Sequence, residues 1–210
     1  MFISFEGCEG SGKTTLANYL FNIILNKYPV ILTKEPGSDE VYLDQFSILL
    51  KKILFKFNNK IDYYTEALLY AADRVEHLKR VIIPALEDKK IVICDRYIDS
   101  SLAYQGYARG LGAEFIKNIN IFALKYYPNI TFYLDLEPEI GLKRLKTKRK
   151  NKIEYLDLQN ISFHHKVREG YLKICNQYPE RIYKINANQS LELIKKSIEF
   201  KIKKIFKIKL

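Results

Sequence analysis

Residues 7–14, Gly7-Cys8-Glu9-Gly10-Ser11-Gly12-Lys13-Thr14, match the pattern G-x-x-x-x-G-K-[ST], which leaves few folds open to the chain. The run FISFE at 2–6 precedes the glycines. After them, residues 13–27 (KTTLANYLFNIILNK) carry apolar positions at helical spacing until Tyr28-Pro29 stops them. The pattern thus lies between an expected strand and an expected helix, the context in which a glycine loop can cradle phosphates.

The same alternation continues along the chain. Residues 30–33 (VILT) read as a second strand, with Lys34-Glu35-Pro36-Gly37 as a turn at its carboxyl end, because Pro36 cannot donate to a ladder. Helical patterns cover 43–57 and 64–86, separated by Asn58-Asn59-Lys60. IVIC at 91–94 is the clearest buried-strand signal and runs straight into Asp95-Arg96-Tyr97. Helix is expected over 113–126 and strand at 130–134 (ITFYL). A helix follows from Pro138 into the basic run KRLKTKRKNK, which lacks an apolar stripe and is expected to be mobile. A helix over 156–176, a strand at 181–185 (RIYKI) and a helix from Ser190 complete the pattern. Five strands alternating with helices imply a mainly parallel sheet covered on both faces, in one domain over 1–210 with no repeat and no Gly/Ser linker.

Composition narrows the function classes. With 210 residues, 48% of them hydrophobic, the chain can bury a substantial core, which argues against disorder. Three cysteines, Cys8, Cys94 and Cys175, lie in or beside apolar runs and do not suggest a disulfide framework. No signal-peptide pattern opens the chain, and no run approaches the roughly 20 apolar residues of a membrane span, so a cytoplasmic location is expected. The formal net charge of +11 sits largely in 143–152 and 195–209, and by itself argues for solubility rather than for nucleic-acid binding. His77, His164 and His165 show no metal-ligand spacing with the cysteines, and His164-His165 are expected at the surface or a pocket edge.

The loop dictates its chemistry. Glycines let successive backbone N–H groups from Gly7, Cys8, Glu9, Gly10, Ser11 and Gly12 to Lys13, Thr14 and Thr15 converge on phosphate oxygens, and the helix N-terminus adds its positive end. Lys13 is expected to bridge the β- and γ-phosphates, and Thr14 to offer a hydroxyl to Mg²⁺, so the expected ligand is Mg-ATP. Asp95 ends the third strand at the same sheet edge, where ligands of open α/β sheets bind. It is placed to hold a metal-bound water.

The guanine-reading motif N-K-x-D of GTPases is absent, and the chain is short for a helicase. The phosphate loop, the K-E-P-G turn, EALLYAADRVEHL and above all DRYIDSSLAYQGYARGLG resemble the thymidylate kinase family, from Met1 to about Arg168. That resemblance implies the three-layer P-loop kinase fold and transfer of the γ-phosphoryl group of Mg-ATP to dTMP. It implies dTMP-binding roles for Glu9, Lys34, Glu35, Pro36, Tyr70, Arg74, Arg96, Ser101, Tyr104 and Gln105. Among these, Tyr70 would stack on the thymine ring, Arg74 donate to a thymine carbonyl oxygen, and Ser101 and Gln105 hydrogen-bond the thymine edge. Tyr104 would sit by the sugar C2′, Glu9 approach the sugar 3′-OH or the metal, and Arg96 clamp the acceptor phosphate. A homodimer is implied as well.

The loop carries no arginine, so a lid over about 143–155 is expected to supply a cation to the transferring group, from Arg149 or Lys152 among Arg144, Lys146 and Lys148. Catalytic roles therefore fall to Lys13, Asp95, Arg96, Arg149 and Lys152. The chain departs from the family at Lys34 and Lys152, where relatives carry arginine, and at Phe46. Lysine keeps the charge but loses the bidentate fork. Two alternatives remain open on the residues: another nucleoside or nucleotide kinase, and a nucleic-acid-binding P-loop protein using the basic tail.

Overall fold

The computed structural model describes residues 1–37, 45–57, 60–148 and 159–206. Arg149 and Lys152 lie outside them, as does most of the expected lid. Five strands form one sheet in the order β2-β3-β1-β4-β5, with β1 at Phe2–Glu6, β2 at Val30–Lys34, β3 at Ile91–Asp95, β4 at Ile130–Asp135 and β5 at Ile182–Asn186. Every pairing is parallel, with Ile3 opposite Ile93 on one side and opposite Ile130 on the other. Around the sheet lie α1 (Lys13–Leu25), α2 (Gln45–Phe57), α3 (Tyr63–His77), α4 (Ile83–Glu87), α5 (Ile98–Ser101), α6 (Ala113–Ile119), α7 (Pro138–Lys148), α8 (Ile161–Gln177) and α9 (Leu191–Phe206).

Alternation along β1 sorts the layers. Ile3 and Phe5 face a core completed by Leu16, Leu20 and Ile24 of α1 and Ile194, Ile198 and Ile202 of α9. Ser4 and Glu6 point to the opposite face, where Ser4 and Thr131 hydroxyls meet at 2.7 Å and α3, α5 and α8 close the third layer. The strand order reverses at β1, so the chain runs to β2 on one side and to β4 on the other, opening a crevice at the carboxyl ends. The phosphate loop sits in it.

Several expected helices are revised. The single helix over 64–86 is interrupted by a π turn at Leu78–Ile82, where the Ile83 N–H reaches back to the Leu78 carbonyl. Pro84 follows directly, and its missing N–H and its ring would disturb an unbroken α-helix there. The helix expected over 113–126 ends at Ile119, and a 3₁₀ turn covers Ala123–Tyr126. The helix expected from 156 begins at Ile161 because Asn160 caps it, its side chain accepting the Phe163 N–H at 2.8 Å. Residues 98–108, given no element from sequence, form α5 and a second π turn at Leu102–Ala108. Gly170 lets α8 pack closely on this turn, since a Cβ there would lie 2.9 Å from the Cβ of Tyr107.

Candidate active site

A cavity of about 660 Å³ opens over the carboxyl ends of β1, β2 and β3. It gathers Glu9, Gly10, Ser11, Gly12, Lys13, Thr14 and Thr15 from the loop, Lys34, Glu35 and Pro36 from the end of β2, and Asp95 and Arg96 from the end of β3. Tyr70 and Arg74 of α3 and Ser101, Tyr104 and Gln105 of the segment after β3 complete that set. Gly7 and Cys8 lie beneath it, their carbonyls accepting from Arg96 and Lys13.

The loop is built on its glycines. Gly7, Gly10 and Gly12 take φ values of 147°, 72° and 98°, which side-chain-bearing residues adopt only with strain. Lys13 folds back so that Nζ donates to the Cys8 carbonyl at 2.9 Å, and burial, with Arg96 nearby, pulls its pKa down to about 8. The Thr14 hydroxyl donates to Asp95 Oδ2 at 2.5 Å, while Asp95 Oδ1 and Ser11 Oγ are buried with no hydrogen-bond partner among the described residues. A hydroxyl, a partnerless carboxylate oxygen and the nearby Glu9 carboxylate are hard oxygen donors of the kind Mg²⁺ takes beside phosphate and water.

Arg96 holds a left-handed backbone, φ 72°, which turns its guanidinium back over the loop. It donates to the Gly7 carbonyl and Ser100 Oγ at 3.2 Å and to Glu9 Oε1 at 3.0 Å, and lies over the Tyr104 ring. Glu9 Oε1 also accepts from the Tyr104 hydroxyl at 2.6 Å. Burial alone would raise the Glu9 pKa, but His164, Arg96, Lys13 and Tyr104 outweigh it and hold the carboxyl well below the usual range. His164, expected at the surface or a pocket edge, is not at the surface: it is 1% exposed, with Nδ1 3.5 Å from Oε2 of the cavity residue Glu9, whereas His165 is half-buried and meets Glu139. No single-residue signal marks His164, because its partner is far along the chain.

On the other wall, Arg74 is fully buried and pinned. Nε and Nη2 reach Glu35 Oε2 at 2.8 and 2.7 Å, and Nη1 donates to Asn120 Oδ1 at 2.7 Å, which occupies three of its five N–H donors. His77 Nδ1 meets the other Glu35 oxygen at 3.2 Å. Asp73 takes the Gly37 N–H on both carboxylate oxygens, at 3.0 and 3.2 Å, and burial beside Glu35 raises its pKa to about 6. Asn120, His77 and Asp73 were missed from sequence, although Asp73 and His77 sit one residue before and three after Arg74 on α3. Tyr70 is half-buried with Phe55 and Pro36 on the same wall, and Gln105 is buried, its Nε2 donating to Glu66 Oε1 at 2.7 Å. At the cavity's other end stand Arg144, both Nη atoms donating to the Ala187 carbonyl at 3.2 Å, and Gln189.

The family model described as thymidylate kinase matches residues 5–198. The chain is similar to the thymidylate kinase of Onion yellows phytoplasma (strain OY-M), 56% identical with both chains covered completely. It is similar to that of Acholeplasma laidlawii (strain PG-8A), 50% identical over 92% of this chain and 94% of the relative. Among solved structures, the crystal structure of thymidylate kinase from Ehrlichia chaffeensis superposes with a TM-score of 0.74 at 32% identity, covering 99% of this chain and 98% of that one.

Proposed function

The chain belongs to the thymidylate kinase family of nucleoside monophosphate kinases, and on that premise we propose a detailed reading of its site: phosphoryl transfer from Mg-ATP to dTMP, giving dTDP and ADP. The observation that carries this reading is one cavity in which Lys13 and Arg96 stand beside the phosphate loop while Tyr70 and Gln105 line the wall beyond. A phosphate oxygen of dTMP attacks the γ-phosphorus, the bond to the β-phosphate oxygen breaks, and ADP leaves with the electron pair.

No protein nucleophile is needed for such a transfer, so the chain contributes alignment and countercharge. Lys13 and the loop N–H groups hold the donor phosphates, and Arg96 clamps the acceptor phosphate as its fork exchanges Glu9 and the Gly7 carbonyl for phosphate oxygens. Thr14 and Asp95 would hold Mg²⁺, Asp95 through water; the ion supplies neutralisation of charge on the phosphate oxygens. Tyr70 stacks on the base, Arg74 and Ser101 reach its edge with Gln105, and Tyr104, fixed by Glu9, closes the space at the sugar C2′. Lys34, Glu35 and Pro36 shape the acceptor phosphate wall. Residues 143–155 act as the lid, with Arg149 in preference to Lys152 as its cation.

The reading includes one domain over 1–210 in the cytoplasm, with no nucleic acid as partner. Among the described residues no helix is long and apolar enough to cross a membrane. It also includes a homodimer, supported by exposed Leu49 and Ile53 on α2 and Tyr64 and Leu68 on α3. ADP release measured with dTMP, dUMP, UMP, dGMP, AMP and thymidine at equal concentration tests it. A signal dominated by dTMP is expected; one dominated by another acceptor would overturn the base assignment.

A further inference from the structure

We infer that Glu66, which does not line the cavity, is a specificity-determining positioning residue: it locks the Gln105 carboxamide so that its oxygen, not its nitrogen, is presented to the acceptor base. The inference rests on the base-binding reading of this wall and deepens it. Glu66 is buried on α3, and its carboxylate accepts on both oxygens, from Gln105 Nε2 at 2.7 Å and from Arg109 Nη2 at 3.4 Å.

A carboxylate can only accept, so the Gln105 amide nitrogen must face Glu66. The Gln105 oxygen takes no hydrogen bond from the described residues, and Gln105 lines the cavity. That wall therefore offers an acceptor at the base edge. It suits a base with a ring N–H, as thymine and uracil have at N3, and opposes cytosine, which presents a lone pair there.

The lock is itself held. Arg109 is sandwiched with its guanidinium 4.5 Å from the ring centres of both Tyr63 and Phe163, and donates to Gln159 Oε1 at 3.1 Å, so its fork cannot swing away from Glu66. The Gln105 backbone is fixed as well, its carbonyl accepting the Leu111 N–H at 3.2 Å across the π turn.

Glu66→Gln isolates the effect. The new amide must turn its oxygen toward the donor-only Arg109, leaving its nitrogen toward Gln105, which then flips and presents NH₂ to the base. The expected result is a rise of about tenfold in KM for dTMP and dUMP alike, one lost hydrogen bond, with kcat and KM for ATP changed less than about threefold. The kcat/KM for dCMP is expected to rise above that of the unsubstituted protein, which a merely structural loss would not produce.

An equal fall for dTMP, dUMP and dCMP, or no change for any of them, would overturn the inference. Should the variant not fold, competition against dTMP in the unsubstituted protein decides: dCMP and N3-methyl dTMP are each expected to bind at least about tenfold more weakly than dTMP, and dCMP binding within twofold of dTMP would overturn it. Failure of the base-binding reading itself is separate, since the unsubstituted enzyme would then prefer another acceptor altogether.

Discussion

Lys13→Met should make the ligand-free protein more stable while abolishing its turnover. Lys13 is 7% exposed, and its pKa falls from 10.5 to about 8 because burial, and then Arg96, disfavour the ammonium. At 1.36 kcal/mol per unit, holding that charge in the folded loop costs about 3 kcal/mol at pH 7. Methionine removes the cost but forfeits the bond to the Cys8 carbonyl, worth about 1 kcal/mol, for a net gain of about 2 kcal/mol or roughly 4–8 °C in Tm. The sign of the pH dependence follows. The unfolded lysine binds its proton up to about pH 10.5 and the folded one only to about pH 8, so stability rises with pH between those values. The assay is urea unfolding of both proteins from pH 6 to 10.5 in buffers free of phosphate and sulfate. The variant's advantage should be constant below about pH 7.5, shrink as the charge cost vanishes, and reverse to a deficit of up to about 1 kcal/mol, the lost Cys8 bond, as the pH climbs to 10.5. Triphosphate at about 100 times its Kd should stabilise the unsubstituted protein by about 2.7 kcal/mol and leave the variant unmoved. An advantage independent of pH would refute the assignment of a strained, buried ammonium in the loop.

Two further substitutions probe the walls of the site. Arg96→Lys keeps the charge and the backbone but cannot span Gly7, Ser100 and Glu9 together, so kcat should fall about 100-fold with little change in Tm, and a kcat within threefold of normal would remove Arg96 from the transfer step. Gly141→Ala places a methyl group of α7 against the Glu9 carbonyl of the phosphate loop; urea unfolding should show a loss of about 1–3 kcal/mol, and KM for ATP should rise.

What the sequence made legible was what is local in the chain. The phosphate loop, the strand ends at Lys34 and Asp95, and Tyr70 with Arg74 one helical turn apart all lie in short windows whose periodicity or spacing is readable, and the structure brings them to one cavity. The partners of these residues were not legible, because each comes from another element: Asn120 on Arg74, His164 beside Glu9, and Glu66 with Arg109 behind Gln105. The π turn at 102–108 escaped for a different reason. Its sequence, LAYQGYA, carries a glycine that reads as a breaker, whereas that glycine lies close against Ile116 and the chain around 112.

Four cations of this site share one property that bears on how it would bind anions. Lys13 is bonded to the Cys8 carbonyl, Arg96 to Glu9 and Gly7, Arg74 to Glu35 and Asn120, and Arg144 to the Ala187 carbonyl. Binding is therefore an exchange of one set of bonds for another, and its free energy is the difference between charge-assisted bonds to phosphate and the internal bonds given up. Where the internal partner is a neutral carbonyl, as for Lys13 and Arg144, the exchange strongly favours phosphate. Arg96 differs from Arg74 although both face a carboxylate: Glu9 keeps the Tyr104 hydroxyl and His164 when Arg96 turns to phosphate, whereas Arg74, with Nε and Nη2 on Glu35 Oε2 and Nη1 on Asn120, would stay fixed as a wall with only its remaining N–H groups to offer. On the proposed reading the same residue type would thus serve as a phosphate clamp beside the loop and as a rigid scaffold on the far wall, and what else holds the partner behind it decides which.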